Sequence, residues 1–307
     1  MSRAVVFVEY GDPEVLQVVD IPPPRPAPGQ VRVRVRASGI EPFDSLIRSG
    51  LVREQISAVF PQKMGGDFAG VVDEVGDGVT TVETGDKVAG WTFLAAHAEH
   101  VVVPAGQVVP KPPSVPWTAA GALSASGQTA ATVLTKLGVA KDDTVLIHAA
   151  AGGVGSFAVQ IAKARGAATV IGTASERNHD YLRSLGAIPV SYGEGLAERV
   201  RAVAPLGVDT ALDAAGSPEA LPVSLELVAD KQRIGTIAWQ AQAAAEELGV
   251  RRLFTEPRAA QLGELLDLCS AGTLRVEVQQ TYLLDEAAEA HRVIQAGHVR
   301  GKLAFTI

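Results

Sequence analysis

Residues 144–175 read "TVLIHAAAGGVGSFAVQIAKARGAATVIGTAS", and no other stretch narrows the fold as much. An apolar run, Thr144–Ala150, meets a turn holding Gly152, Gly153 and Gly155. Behind the turn, Val154, Ala158 and Ile161 recur at helical spacing until Gly166 stops the helix. A second apolar run, Ala168–Ser175, follows. A strand, a helix and a strand within about thirty residues make a crossover unit, and a crossover implies parallel pairing. The turn is the pyrophosphate seat of a dinucleotide fold in all but its first position. There the pattern G-x-G-x-x-G has Ala150. Gly152 lets the backbone approach a phosphate with no Cβ in the way. Gly155 lets the helix lie close to the strand, and the helix N-terminus offers unpaired N–H groups to an anion. Ala150, Gly152, Gly153, Val154 and Gly155 are therefore candidate cofactor contacts. A tight turn with no ligand is the plain alternative, and the surrounding unit favours the ligand.

The alternation continues through "IPVSY", "DTALDAAG" and "RIGTIAW", so the middle of the chain is expected to be a doubly wound parallel sheet. The first part has a different texture. "VRVRVRAS" places Val31, Val33 and Val35 on one face and Arg32, Arg34 and Arg36 on the other, the period of a half-buried strand. The arginines suit a solvated face better than an anion site. Further turn-bounded runs, "AGVVDEVG", "DKVAGWTF" and "EHVVVPAG", predict a compact β-rich, barrel-like domain. "WTAAGALSASGQTAATVLTKLG" predicts one helix over 117–138. The closing region mixes helix, extended chain, helix and a final strand.

The chain has 307 residues, enough for two domains, and a net charge of −7. That balance excludes a general nucleic-acid binder, which needs a basic face. The single cysteine, Cys269, permits no internal disulfide and no thiolate-rich zinc site. Neither a signal-peptide pattern nor an apolar run of membrane length is present, so a cytoplasmic protein without a membrane partner is the expectation.

The end of the second strand bears on which dinucleotide is held. NAD binders place an acid there for the ribose 2′-hydroxyl. Here the run is Thr173, Ala174, Ser175, Glu176, Arg177. Ser175 can donate to a 2′-phosphate and Arg177 can pair with it. A plain helix N-cap at Ser175 and a solvated charge at Arg177 are the bland alternatives. Glu176, turned inward, would favour NADH. The balance favours NADPH.

"GGDFAGVVDEVGDGVTTVETGDKVAG" (65–90), "AAGALSASGQTAATVL" (119–134), "AAAGGVG" (149–155), "DAAG" (213–216) and the closing "GKLAFTI" (301–307) together resemble the zinc-free quinone oxidoreductase branch of the medium-chain dehydrogenase/reductase superfamily. The resemblance covers nearly the whole chain. It implies an α/β protein with a GroES-like β-rich domain, residues 1–121 and 258–307, around a Rossmann domain, residues 122–257, with the active site in the cleft between them. It implies hydride transfer from NADPH to a quinone or an α,β-unsaturated carbonyl compound. It puts Arg177 and Tyr192 on the 2′-phosphate with Ser175 beside them. Thr129, Ala215, Gly216, Ile237 and Ala238 would line the nicotinamide and its ribose, and Lys302 joins the cofactor-binding set. Zinc-dependent relatives carry Cys and His ligands where this chain has Glu41 in "GIEPFD" and Gly66 in "GGD", so no metal is expected. His97 and His100 suggest strand residues rather than ligands.

Two departures stand out. Glu41 replaces the asparagine of the usual "N-P-x-D". The stretch from Gln240 to Gly249 is short, which makes the homodimer pairing of similar proteins less secure here. No general acid is evident. Glu41, Phe43, Asp44, Trp91 and Trp239 are candidates for the acceptor pocket. A small-molecule carbonyl or quinone acceptor is the main expectation. A reductase of enoyl thioesters or of a biosynthetic intermediate is a second reading. An NADPH-binding sensor or structural protein without turnover is a third, from another class.

Overall fold

The computed structural model describes residues 1–307 and divides them into two compact units. The first holds Met1–Ser126, Pro257–Gly272 and Val276–Ile307, and the second holds Gly127–Glu256 and Thr273–Arg275.

The N-terminal part of the first unit runs β1 (Ser2–Phe7), β2 (Leu16–Ile21), β3 (Gln30–Ile40), α1 (Pro42–Ser49), β4 (Gln62–Lys63), β5 (Asp67–Val75), β6 (Lys87–Trp91), β7 (His100–Pro104), β8 (Val108–Pro110), α2 (Trp117–Gly121) and the start of α3 (Ser124–Lys136). The second unit continues with β9 (Thr144–His148), α4 (Gly153–Ala164), β10 (Thr169–Ala174), α5 (His179–Ser184), β11 (Ile188–Ser191), α6 (Leu196–Val203), β12 (Thr210–Asp213), α7 (Ala220–Leu227), β13 (Ile234–Thr236), α8 (Gln242–Leu248) and β14 (Arg251–Arg252). The chain then returns to the first unit with α9 (Ala259–Ser270), β15 (Val278–Tyr282), α10 (Ala287–Ala296) and β16 (Lys302–Thr306).

In the first unit, β3 is the hub. It pairs antiparallel with β5, β7 and β16, and its alternation is realised in burial. Val31, Val33 and Val35 enter a core with Phe68, Val72, Val88 and Val101. On the other face, Arg34 and Arg36 are exposed, while Arg32 pairs with Asp73 at 2.9 Å. The Arg32 guanidinium also pairs with Glu74 at 2.5 Å, so the solvated face carries a small fixed charge cluster. His100 does open a strand, but His97 lies in the bend before it.

The expected helix over 117–138 is two helices, broken at Ala122 and Leu123. Close approach explains the break. A Cβ on Gly121 would lie 2.5 Å from the carbonyl oxygen of Ala37, so α2 sits hard against β3. The second helix restarts where Asp67, from β5, accepts the Ala125 N–H at 2.7 Å. A carboxylate from a distant strand thus serves a first-turn donor that the helix cannot satisfy itself. The same contact keeps Ser124–Ser126 with the first unit. The Arg275 N–H and carbonyl both bond the Gln160 side chain, which places Thr273–Arg275 with the second.

The second unit is a parallel sheet in the order β11-β10-β9-β12-β13-β14. Strand order reverses between β9 and β12. Ligands of such sheets bind beyond the carboxyl ends of the strands at that switch point. Helix α4 is buried along Gly155–Ala162, more than one face, with its first turn half-open and its last two residues exposed. Gly155 permits this. A Cβ there would stand 2.2 Å from the Ala149 carbonyl oxygen and 2.7 Å from the Ala150 Cα. Gly155→Ala is expected to cost about 1–3 kcal/mol through forced backbone displacement. Gly152→Ala, whose Cβ meets nothing closer than 3.4 Å, should cost well under half of that. Urea denaturation of both variants checks the pair, and equal losses would contradict the close-approach argument.

Candidate functional site

The glycine turn is built from three devices. Ala149 takes a left-handed backbone, φ 53°, to turn the chain off β9. The Ala150 N–H donates to the Thr173 carbonyl at 3.0 Å and the Ala149 N–H to the Thr173 hydroxyl at 3.2 Å, tying the turn to the end of β10. Gly152 then N-caps α4 with no side chain over the helix end. The first-turn N–H groups have no intrahelical acceptors. Space above Gly152, donors beneath it and the positive end of a twelve-residue helix fit a pyrophosphate.

Beyond the switch point, Asp213 at the end of β12 organises the neighbouring loops. It is fully buried. Its Oδ1 accepts the N–H groups of Ala215 at 2.9 Å and Gly216 at 2.8 Å, and its Oδ2 accepts the Thr236 hydroxyl at 2.7 Å. The Thr236 hydroxyl oxygen accepts the Ala238 N–H at 3.0 Å, and the Asp213 carbonyl accepts the Ile237 N–H at 3.0 Å. Asp213 and Thr236 together therefore shape the backbone at all four expected nicotinamide positions on these loops: Ala215 and Gly216 through the carboxylate, Ile237 through the Asp213 carbonyl and Ala238 through the Thr236 hydroxyl. Gly216 holds φ +66°, and Gln240 donates to the Ala215 carbonyl. Beside it, His148 is buried and held neutral, with burial pushing it down to about 4. The Ser224 hydroxyl donates to the Ala220 carbonyl, so the His148 Nε2 at 3.0 Å carries the proton and donates to Ser224. Sequence reading missed Asp213 and Thr236. The acid at the end of an apolar run in "DAAG" was the available signal.

Ser175 and Tyr192 come together through sheet register, and Arg177 lies in the turn that follows Ser175. β10 and β11 pair with Ala174 opposite Ser191, so the next residues, Ser175 and Tyr192, leave adjacent strands side by side. The Ser175 hydroxyl accepts the Asn178 amide at 3.3 Å, Arg177 is exposed, and Tyr192 is 51% exposed. Thr129 and Trp239 are half-buried and also belong to the second unit.

The remaining pocket candidates belong to the first unit. Glu41 precedes α1, and Asp44 at the third position of that helix accepts the Glu41 N–H at 2.8 Å. Phe43 is partly exposed, and Trp91 ends β6 opposite Asp67. Lys302 is expected among the cofactor contacts. Its ammonium engages the Glu41 carboxylate and, at 3.0 Å, the Ser126 hydroxyl, within the first unit. Ser126 in turn donates to Glu41 at 2.9 Å, which closes a three-membered ring of contacts. Two further carboxyls face this ring. Burial, with Glu41 nearby, pushes Asp44 up to about 7 and Asp67 well above the ordinary carboxyl range. The buried Asp67 Oδ2 has no hydrogen-bond partner. His97 is neutral, pushed down to about 4 by burial, with Nε2 at 2.9 Å from the Gly39 carbonyl oxygen and its ring edge-on to Phe305.

Residues 27–113 match the alcohol dehydrogenase GroES-like domain, and residues 185–304 match a family described as zinc-binding dehydrogenase. A quinone oxidoreductase of Pseudomonas aeruginosa is 32% identical, with 98% of each chain covered. The structure of Escherichia coli quinone oxidoreductase complexed with NADPH superimposes with a TM-score of 0.87 at 28% identity, covering 100% of both chains. A structure described as an NAD-dependent alcohol dehydrogenase superimposes at 0.88 with 31% identity, covering 99% of each. Two nicotinamide preferences thus occur on this fold, and the chain's own residues must choose between them. A β-rich GroES-like unit, a six-stranded parallel sheet with its glycine turn at the switch point, and likeness along almost the full length place this chain in the quinone oxidoreductase branch of the medium-chain dehydrogenase/reductase superfamily, as an oxidoreductase.

Proposed function

We propose that this protein transfers a hydride from NADPH to a small-molecule quinone or α,β-unsaturated carbonyl acceptor, without a metal ion. The observation that carries the cofactor choice is the register placing Ser175 beside Tyr192, with Arg177 in the turn directly after Ser175 and no acid at the strand end itself. A guanidinium, a hydroxyl and a phenol at one corner match the donors that a 2′-phosphate needs. The turn from Gly152 to Gly155 holds the pyrophosphate. The loops fixed by Asp213 carry the nicotinamide end. Bound there, the nicotinamide supplies the hydride, and the chain supplies placement and an electrostatic surround.

Metal independence is supported by the donor set. A catalytic zinc takes about three protein ligands. One expected ligand position is Gly66, which offers no side chain, and another is Glu41, whose carboxylate is already neutralised by Lys302. A buried ammonium stands in that neighbourhood as the fixed positive charge.

Arg177→Ala is expected to weaken NADPH about 10–100-fold, the value of a charge-assisted bond of about 1.5–3 kcal/mol, and NADH by less than about threefold. Fluorescence titration of both nucleotides decides. Tighter binding of NADH than NADPH by the native protein would sink the cofactor assignment. NADPH consumption followed with quinones, enones and enoyl thioesters identifies the acceptor class, and tight binding without turnover on any of them would overturn the assignment as a reductase.

A further inference from the structure

Arg199 lies on α6, outside every residue so far connected with the cofactor. Its guanidinium reaches back over the loop that leaves β11. Nε donates to the Ser191 carbonyl at 3.0 Å, Nη1 to the Glu194 carbonyl at 2.7 Å, and Nη2 to the carbonyls of Gly193 at 3.0 Å and Tyr192 at 3.3 Å. Four consecutive carbonyls therefore converge on one planar cation. From the other side, the Glu219 carboxylate accepts the Gly193 N–H at 2.9 Å. The loop needs such fastening. Gly193 and Gly195 hold φ +95° and +75°, and glycine is the residue with the most backbone freedom to lose. Tyr192 itself has a half-exposed side chain and sits between these fixed points.

A surface ion pair would explain one contact of an arginine, not four to backbone oxygens. Arginine's rigid fork suits this task, whereas an ammonium is a point charge that can serve fewer acceptors in one plane. We propose that Arg199 is a positioning residue for NADPH recognition: it clamps the loop of residues 191–194 so that the Tyr192 phenol is held at the 2′-phosphate beside Ser175 and Arg177. The inference rests on the NADPH assignment above and deepens it. Arg199 acts through Tyr192, because four of its five N–H donors are spent on the carbonyls of this loop. It therefore contributes to the choice between NADPH and NADH without touching either.

The test is a double-mutant cycle on dinucleotide affinity. NADPH and NADH are titrated against the native protein, Arg199→Ala, Arg199→Lys, Tyr192→Phe and the Arg199→Ala/Tyr192→Phe double variant. The expected result is an NADPH Kd about tenfold higher in Arg199→Ala, a smaller loss in Arg199→Lys, and an NADH Kd within about twofold of native in both. In the double variant the two losses should not multiply, since both remove the same contact. Equal weakening of both nucleotides would reduce Arg199 to a structural support and overturn the inference, as would full multiplication of the two losses. Unchanged NADPH affinity in Arg199→Ala would also overturn it. A native protein with no preference for NADPH is a separate outcome, and it removes the cofactor assignment itself.

Discussion

Lys302→Met is expected to destabilise the protein by about 3–5 kcal/mol at neutral pH, the usual cost of removing one partner from a buried ion pair. Its side chain is 2% exposed, and its ammonium is the cation among Glu41, Asp44 and Asp67. Without it, Glu41 keeps only the Ser126 hydroxyl as a donor from the ring, in a site that excludes most water. Asp44 and Asp67 also lose the one charge that favours their ionised forms. The variant should therefore be nearer to native stability at pH 5, where carboxyls can take up protons, than at pH 8, where they must ionise or strain against one another. Lys302→Met/Glu41→Gln should recover much of the loss, because removing both charges leaves no unpaired ion behind. Urea midpoints at the two pH values check all three statements. A single-variant loss below about 1 kcal/mol, typical of a solvated pair, would show that the site is not dry.

This cluster marks the limit of what the sequence could disclose. The dinucleotide seat is a local device. Its strand, turn and helix are contiguous, and each glycine answers to a neighbour within a few residues, as Gly155 answers to Ala149. Period-2 burial along β3 is equally local, since one face of a pleated strand repeats every second residue. The Glu41–Lys302 pair spans 261 positions and depends on β16 pairing antiparallel with β3, with Leu303 opposite Ile40. No spacing rule forecasts that register. Glu41 was visible as an oddity, and only packing shows that it is neutralised. The break between α2 and α3 has the same origin. The local sequence favours helix throughout, and the interruption comes from the approach to Ala37 and from Asp67, a carboxylate 58 residues away in the chain. Arg199 was hidden for a related reason. Its sequence neighbours are those of any solvated helix, and its four acceptors are backbone oxygens, which every residue possesses.

His291→Leu is expected to raise stability at pH 4, relative to pH 7, by about 3 kcal/mol, or about 1.4 kcal/mol per pH unit over the interval in which the histidine differs between folded and unfolded chains. His291 is fully buried on α10, and neither ring nitrogen has a hydrogen-bond partner. Burial, with His97 and Arg48 nearby, pushes it down to about 3. His97 and His148 are pushed down to about 4 by burial. Each depressed histidine is neutral when folded and takes up a proton when unfolded near pH 6.5. Its stability contribution is therefore full above pH 6.5 and is lost as the pH falls toward the folded value. The buried carboxyls act in the opposite sense. Asp44, pushed up to about 7, keeps its proton in the folded chain and releases it on unfolding above pH 3.8, so its contribution is present in acid and lost as the pH rises through 7. Asp67 has the same sign. Between pH 6.5 and 4, His97, His148 and His291, joined by His100, which burial also lowers, oppose Asp44 and Asp67 in the slope of stability against pH. His291→Leu should lower that slope by about one proton. Asp44→Asn, which keeps an oxygen for the Glu41 N–H, should raise it by about one proton. Urea unfolding across this pH range measures the slopes directly. Identical slopes in all three proteins would mean that these groups already exchange protons with water in the folded state. Opposed buried groups act on the slope from both sides, so single substitutions on either side should move it in opposite directions.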